Sequence, residues 1–321
     1  MGRSEQTDAT RPAFLDAHRR AVLRAGLAAA ALGSFTVVRP AAAAAASLSV
    51  TALPGGLKLI SGGGANVVCA SGPDGALMVD GGLAASADQM VERVLAETRA
   101  RQVALLVNTC WRLEHTGAND KLGASGVRIV AQENTRLWMG TEIDSRWERT
   151  VYPPRAPQAR PNHSFYTAEV LAAGPGAIAC GRLLQAHTDG DAYVHFQDAN
   201  VVAVGGAVAG RGWPLIDTST GGWIGGHVRG LETLIGLADD KTVVVPAEGP
   251  PLAKADLEKQ HAMYVAIMGR LQTLLESGSG LAEVLKAAPA ADYAAERGDP
   301  TLFTTLAFRS FWGHARQFKA I

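Results

Sequence analysis

Short apolar runs separated by glycine-rich turns, with helical stretches between groups of them, limit what this chain can fold into. Leu57–Ile60, Ala65–Ala70 and Ala76–Val79 read as three strands of a meander, the last two joined by the turn Gly72-Pro73-Asp74-Gly75. Val103–Val107, Val127–Ala131, Ala177–Leu184, Ala192–Phe196, Val201–Val204 and Thr242–Val245 continue the series. Helical periodicity predicts helices over Ser86–Arg101, near Leu122, and over Asn134–Arg149, His227–Ala238, Ala253–Ser277 and Leu281–Ala287. Residues 151–165 carry Pro153, Pro154, Pro157 and Pro161 and read as a surface crossing. Meanders alternating with helices imply two sheets covered by helices, a layered α/β architecture.

Composition matters mainly through one break near the start. His18-Arg19-Arg20-Ala21-Val22-Leu23-Arg24 precedes a mildly apolar run from Ala25 to Val38, and six alanines, Ala41 to Ala46, follow Arg39-Pro40. The arrangement resembles a twin-arginine export signal. The apolar run is shorter than the ~20 residues needed to span a bilayer; the competing reading is an uncleaved anchor or a loose tail. The expected organisation is a signal over residues 1–46 and one domain over 47–321, with 253–321 as a C-terminal helical extension. The resemblance implies a chain that folds in the cytoplasm, meets the twin-arginine export machinery through residues 18–24, and works in the periplasm or outside the cell. Setting aside the six arginines and three acids of residues 1–46 leaves 24 basic and 27 acidic residues, a balance that argues against a nucleic-acid partner. Cys69, Cys110 and Cys180 have no paired spacing, so no disulfide framework is implied.

The stretch richest in chemistry is Asn108-Thr109-Cys110-Trp111-Arg112-Leu113-Glu114-His115-Thr116-Gly117-Ala118-Asn119, which follows a buried strand and opens a helix. It resembles the signature N-T-H-W-H-x-D-H-T-G-G-N of the metallo-β-lactamase fold family and departs from it at Cys110, Arg112, Glu114 and Ala118. Three further blocks fall in the family's order: Val79-Asp80-Gly81-Gly82, Ala186-His187-Thr188-Asp189-Gly190-Asp191, and Val245-Pro246-Ala247-Glu248-Gly249-Pro250. The resemblance implies a four-layer αβ/βα sandwich of the metallo-β-lactamase type over the whole mature chain.

It also implies two zinc ions on seven side chains, and here the residues depart. His115 and His187 stand at ligand positions, whereas Cys110, Arg112, Glu114, Gly206 and Glu248 replace the other five ligands. A guanidinium stays protonated and offers no lone pair, so Arg112 disfavours a bound dication. Gly206 removes the bridging carboxylate. Glu114, His115 and Glu248 could together hold one Zn or Mn ion, a single site at most. Alternatively Arg112 pairs with Glu114 and Glu248, and an organic ion cluster fills the place of the metals.

These residues point first to a protein that has lost the dinuclear zinc site and serves binding or assembly, with no cofactor. Two alternatives stand beside it. One is a mononuclear metal-dependent hydrolase using Glu114, His115 and Glu248; the other is a metal-free thiol enzyme built on Cys110, with Arg112 beside it and His187 or His115 as base. The partners implied are a protein or a second copy of the chain, and a small molecule in the cleft. Asp80 is expected to brace the ligand loop, Asp189 and Asp191 to make turn hydrogen bonds, His163 to be a solvated loop residue, His195 a face residue, and His227 structural or pocket-lining.

Overall fold

The computed structural model describes residues 47–174 and 176–314; the export-signal reading of residues 1–46 and the last residues of the C-terminal stretch, 315–321, lie outside the described residues. Strands β1 (Ser49–Ala52), β2 (Lys58–Ser61), β3 (Val67–Ser71), β4 (Ala76–Val79), β5 (Val103–Asn108) and β6 (Arg128–Gln132) lie side by side in chain order. A hairpin, β7 (Ile143–Ser145) with β8 (Thr150–Tyr152), stands apart, and β9 (His163–Phe165) closes the first sheet beside β6. The meander up to β4 is antiparallel, whereas β4, β5, β6 and β9 are parallel.

The second sheet is β10 (Ala168–Gly174), β11 (Gly176–Arg182), β12 (Ala192–Phe196), β13 (Val201–Gly205) and β14 (Val243–Pro246), in that order. It is antiparallel except for the parallel pair β13 and β14. The helices are α1 (Ala87–Thr98), α2 (Asn119–Ala124), α3 (Glu133–Met139), α4 (Ile224–Leu237), α5 (Lys254–Glu276), α6 (Leu281–Ala287), α7 (Ala294–Arg297) and α8 (Thr301–Gly313).

The two-residue period of the strands sorts the side chains into layers. Leu59, Val68, Leu77, Val79, Leu105 and Val107 face the second sheet and meet Ile178, Val194, Phe196, Val201 and Ala203 there. Their neighbours Ile60, Val67, Cys69, Met78 and Leu106 point the other way, onto Met90, Val91 and Val94 of α1 and Leu122 of α2. The outer face of the second sheet, with Val202, Val204 and Val244, is covered by Ile224, Val228 and Leu231 of α4, Leu257, Tyr264, Ile267 and Leu271 of α5, and Phe303, Phe308 and Phe311 of α8. The result is helix, sheet, sheet, helix. Strands such as β4 and β13 are buried along their whole length, which is why they read as continuous apolar runs rather than alternating ones.

Three local expectations change. The helix over Asn134–Arg149 stops at Met139, because Gly140 ends it and the chain turns into the β7–β8 hairpin. The 151–165 crossing contains the end of β8 and all of β9, on which His163 pairs with Glu169 at 2.8 Å instead of lying free in a loop. Strands β1 and β10 were not anticipated: β1 exposes three of its four residues and β10 exposes Val170, so neither carries a long apolar run.

The parallel strands and the antiparallel pair β11–β12 place several strand ends together. The loops after β4, β5, β11, β13 and β14 converge, and cross-links fasten them. Asn66 donates its backbone N–H to Ala247 O at 2.7 Å and its Nδ2 to Pro246 O at 2.9 Å, while Ala192 N donates to Thr109 O at 2.8 Å. Gly117 passes so close to Leu83 that a Cβ there would sit 2.2 Å from the Leu83 carbonyl carbon and 2.3 Å from Ala84 N. Gly117→Ala is expected to lower stability by about 1–3 kcal/mol in urea unfolding. Gly236→Ala, in α4 with nothing within 4 Å of the new Cβ, should raise it by about 0.5–1 kcal/mol.

Candidate functional site

The loop after β5 is fixed before any chemistry is considered. Asn108 and Asn119, at the two ends of the motif, exchange amide hydrogen bonds of 3.1 and 2.7 Å, and Asn119 Nδ2 also donates to Ala159 O at 2.9 Å. Trp111 Nε1 donates to Thr220 Oγ1 at 3.0 Å, tying the loop to the second half of the chain. These buried, fully paired groups hold the loop to one conformation.

Asp80 holds it from the other side. Its backbone adopts a left-handed conformation, φ 62°, uncommon for a residue with a side chain. The carboxylate accepts from Thr109 N at 2.8 Å, from Thr109 Oγ1 at 2.7 Å and from His115 Nδ1 at 2.8 Å. Burial disfavours charge on the His115 ring, but the Cys110 sulfur and the Asp80 carboxylate together raise it well above the ordinary imidazole range.

Arg112 is the central charge. Its side chain is only 9% exposed. Nη1 and Nη2 donate to the two oxygens of Glu148 at 3.1 and 2.8 Å, a bidentate fork. Nε donates to Glu114 Oε1 at 3.3 Å, and Asp217 Oδ2 lies 3.7 Å from Nη1. Trp111, Trp147 and Tyr152 surround the guanidinium, with ring centres 5.3, 5.8 and 5.9 Å from Cζ. Burial disfavours the charge, yet the hydrogen bonds to Glu148 and the fields of Glu114, Glu148 and Asp217 raise Arg112 further above its usual value. Against burial, Arg112 and the Ser145 hydroxyl, 2.6 Å away, hold Glu148 below the usual carboxylate range.

The expected pairing of Arg112 with both Glu114 and Glu248 is therefore corrected on its second partner. Glu248 is exposed on the wall of a cavity, and Glu148 and Asp217 take the role given to it. The β7–β8 hairpin makes the difference, because it delivers Glu148 to Arg112 where a continuous helix had been expected.

The cavity measures about 240 Å³. Glu114, His115, His187, Gly206, Arg211, Trp213 and Glu248 are on its wall, so the proposed ligand trio Glu114, His115 and Glu248 shares one opening. They do not converge as ligands: among the described residues their donor atoms do not gather within 4.8 Å of one another, and Glu114 is held by Arg112. The donors that meet, among the described residues, are Cys110, His187 and Asp191, all buried and with one ligand atom each within 4.8 Å of the others. Burial pushes the Cys110 thiol up to about 11, against the pull of His115. Such a sulfur keeps its proton at neutral pH and, at 1% exposure, weighs against the thiol-nucleophile reading.

His187 is held well below the usual imidazole range, first by burial and then by the positive charges of His115 and Arg112. Its ring occupies the space beside residue 206, where a Cβ would lie 2.4 Å from His187 Nδ1. Glycine at 206 and the present seat of His187 thus go together. Asp191 accepts from Thr188 N at 2.9 Å and Thr188 Oγ1 at 2.7 Å, the expected turn, and burial pushes it up to about 7. The residues present do not fit a dinuclear zinc centre: a paired guanidinium stands at one ligand position and a glycine backed by an imidazole at another.

Glu148, Asp217 and Asp191 were not singled out as site residues from the sequence. Only Asp191 had a local signal, its place in the His187-Thr188-Asp189-Gly190-Asp191 turn. His227 is buried, its Nδ1 3.0 Å from Ala207 O and its Nε2 3.2 Å from Leu215 O; a neutral ring donates to one of them. It packs inside the fold and is not on the cavity wall.

No protein-family model matches the chain, and no curated protein matches it in sequence. Solved structures match in fold. A metallo-β-lactamase from Pontibacter korlensis is 17% identical, with 68% of this chain covering 99% of that one at a TM-score of 0.54. The DIM-1 metallo-β-lactamase is 14% identical, covered over 96% of its length by 68% of this chain, also at 0.54. The stereoselective inverting sec-alkylsulfatase Pisa1 from Pseudomonas sp. is 13% identical at a TM-score of 0.66; 83% of this chain covers 50% of it, so this chain spans half its length. The chain has the metallo-β-lactamase fold, as the sequence motifs implied.

Removing Glu148 leaves a buried, partly unpaired guanidinium. Glu148→Ala and Arg112→Met are each expected to cost about 3–5 kcal/mol in chemical unfolding, because each leaves the opposite charge buried without its partner. A second expectation concerns acid. Burial lowers His227 from 6.5 to about 4, so between those values the unfolded ring binds a proton and the folded one does not. Stability from this residue is present above 6.5 and lost as pH falls towards 4. His227→Gln should flatten the pH dependence of unfolding across that window by about 3 kcal/mol.

Proposed function

We propose that this chain is an exported protein of metallo-β-lactamase fold that has given up dinuclear zinc hydrolysis and works as a binding or assembly protein. The observation that carries the proposal is Arg112. A guanidinium with a bidentate Glu148, a Glu114 contact and three surrounding rings occupies a position where the motif leads one to expect a metal ligand. An ion cluster with that many partners does not yield its place to a dication without losing several kcal/mol of pairing.

Export by the twin-arginine route, to the periplasm or beyond the cell, is part of the same proposal and is supported by Arg19-Arg20 and the small-residue run up to Ala46. The ligand site is the 240 Å³ cavity, suited to a small polar molecule that meets His115, Glu114 and Glu248. A protein partner or a second copy of the chain belongs to the assembly role. The mononuclear alternative through Glu114, His115 and Glu248 loses support from the commitment of Glu114 to Arg112 and from the three donors not gathering within 4.8 Å of one another.

The test is zinc loading joined to hydrolysis. With excess zinc the mature chain should never reach two tightly held equivalents. It should show no turnover of β-lactams or sec-alkyl sulfates, the substrates suggested by the names of its structural neighbours, nor of lactones, thioesters or phosphoesters. Two retained equivalents, or zinc-dependent turnover of any of these, would overturn the proposal.

A further inference from the structure

The geometry points to a single buried metal site, built from Cys110, His187 and Asp191 and suited to one borderline-soft divalent ion such as zinc. Cys110 and His187 stand at two of the seven expected ligand positions, but the set is not the family's: Asp191 lies outside them, and Arg112, Glu114, His115 and Glu248 take no part. It is also independent of the loss of hydrolysis proposed above, since one buried ion with three protein donors does not make a dinuclear centre.

Four observations carry it. First, the three donor atoms already lie within 4.8 Å of one another, and His187 Nδ1 is 3.8 Å from Asp191 Oδ1. Ligand atoms sharing a tetrahedral zinc, at bonds of about 2.0–2.3 Å, stand roughly 3.3–3.6 Å apart. A small closing motion completes the set. Second, His187 Nδ1 is buried and has no hydrogen-bond partner. A buried polar nitrogen left unpaired costs about 1–3 kcal/mol, and an ion removes that cost.

Third, Asp191 is already oriented, since Thr188 donates to it through both backbone N–H and hydroxyl. Second-sphere bonds of this kind fix the aim of a ligating carboxylate. Fourth, the nearby cations are matched or exceeded by acids. Arg112 has Glu114, Glu148 and Asp217 within 4 Å, and His115 has Asp80. These acids offset part of the positive field that Arg112 and His115 exert at His187. One sulfur with one imidazole and one carboxylate selects zinc or cobalt over magnesium or calcium. His187 is on the cavity wall, which supplies the entry path.

Cobalt(II) is the probe. The metal-free full chain is titrated with Co(II) and followed by its near-ultraviolet cobalt–thiolate charge-transfer band. One equivalent should bind and develop the band. Cys110→Ser should abolish the band, Asp191→Asn should weaken binding at least tenfold, and Cys180→Ser, at a buried thiol elsewhere, should leave both unchanged. Absence of Co(II) binding, or binding without a thiolate band, in the wild-type chain overturns the site even if a variant fails to fold. A band that survives Cys110→Ser overturns it too. Two bound equivalents of which the first carries the band would overturn the loss of the dinuclear centre while supporting this site.

Discussion

A guanidinium buried among aromatic rings is costly unless acids meet it, and the centre of this molecule is arranged around that requirement. Arg112 draws Glu114 from its own loop, Glu148 from the β7–β8 hairpin and Asp217 from the turn before α4. Each of these elements is then fixed by further bonds. Ser145 donates to Glu148, while Trp147 Nε1 and Thr220 Oγ1 donate to Asp217. The same turn receives Trp111 through Thr220, so the loop that carries Arg112 is held at its neighbouring residue as well. One cation thereby fastens three segments that are far apart in sequence, work that a pair of metal ions would do in a protein with an intact ligand set.

The second consequence is spatial. With Gly206 in place of a carboxylate, the His187 ring packs against the backbone at that position. His187 is left with one nitrogen unpartnered, and Cys110 and Asp191 stand beside it. A side chain at 206 would collide with this ring, so glycine there lets the imidazole sit 3.8 Å from Asp191 Oδ1. The fold is shared with hydrolases, but a shared fold at 13–17% identity says nothing of chemistry. What the centre does is decided by its side chains.

Much of this architecture was legible in the sequence, for physical reasons. Strands buried on both faces, such as β4, β5 and β13, are unbroken apolar runs; α1 repeats Met90, Val91 and Val94 at helical spacing; α6 lies where a short helix was expected. Asn108 and Asn119 stood out as motif residues, and their reciprocal amide pair explains why both ends of the loop need them. The partners of Arg112 were less legible. Glu114 is two residues away and was named, but Glu148 is 36 residues away in a stretch whose Leu137, Trp138 and Trp147 mimic helical spacing. Local periodicity could not see that Gly140 ends the helix or that the hairpin returns to the centre. Asp191 was read as a turn residue, which it is; that the turn also aims it at His187 and Cys110 is a property of the folded chain alone.

A double-mutant cycle on Arg112 and Glu148 tests the central claim most directly. Unfolding free energies are measured for the native chain, Arg112→Met, Glu148→Gln and the pair together. If the ion cluster organises the centre, the two substitutions are coupled by about 2–3 kcal/mol, and the double variant is more stable than the sum of the single losses allows. Effects that add to within about 0.5 kcal/mol would contradict it, because the two side chains would then not be acting on each other in the folded protein.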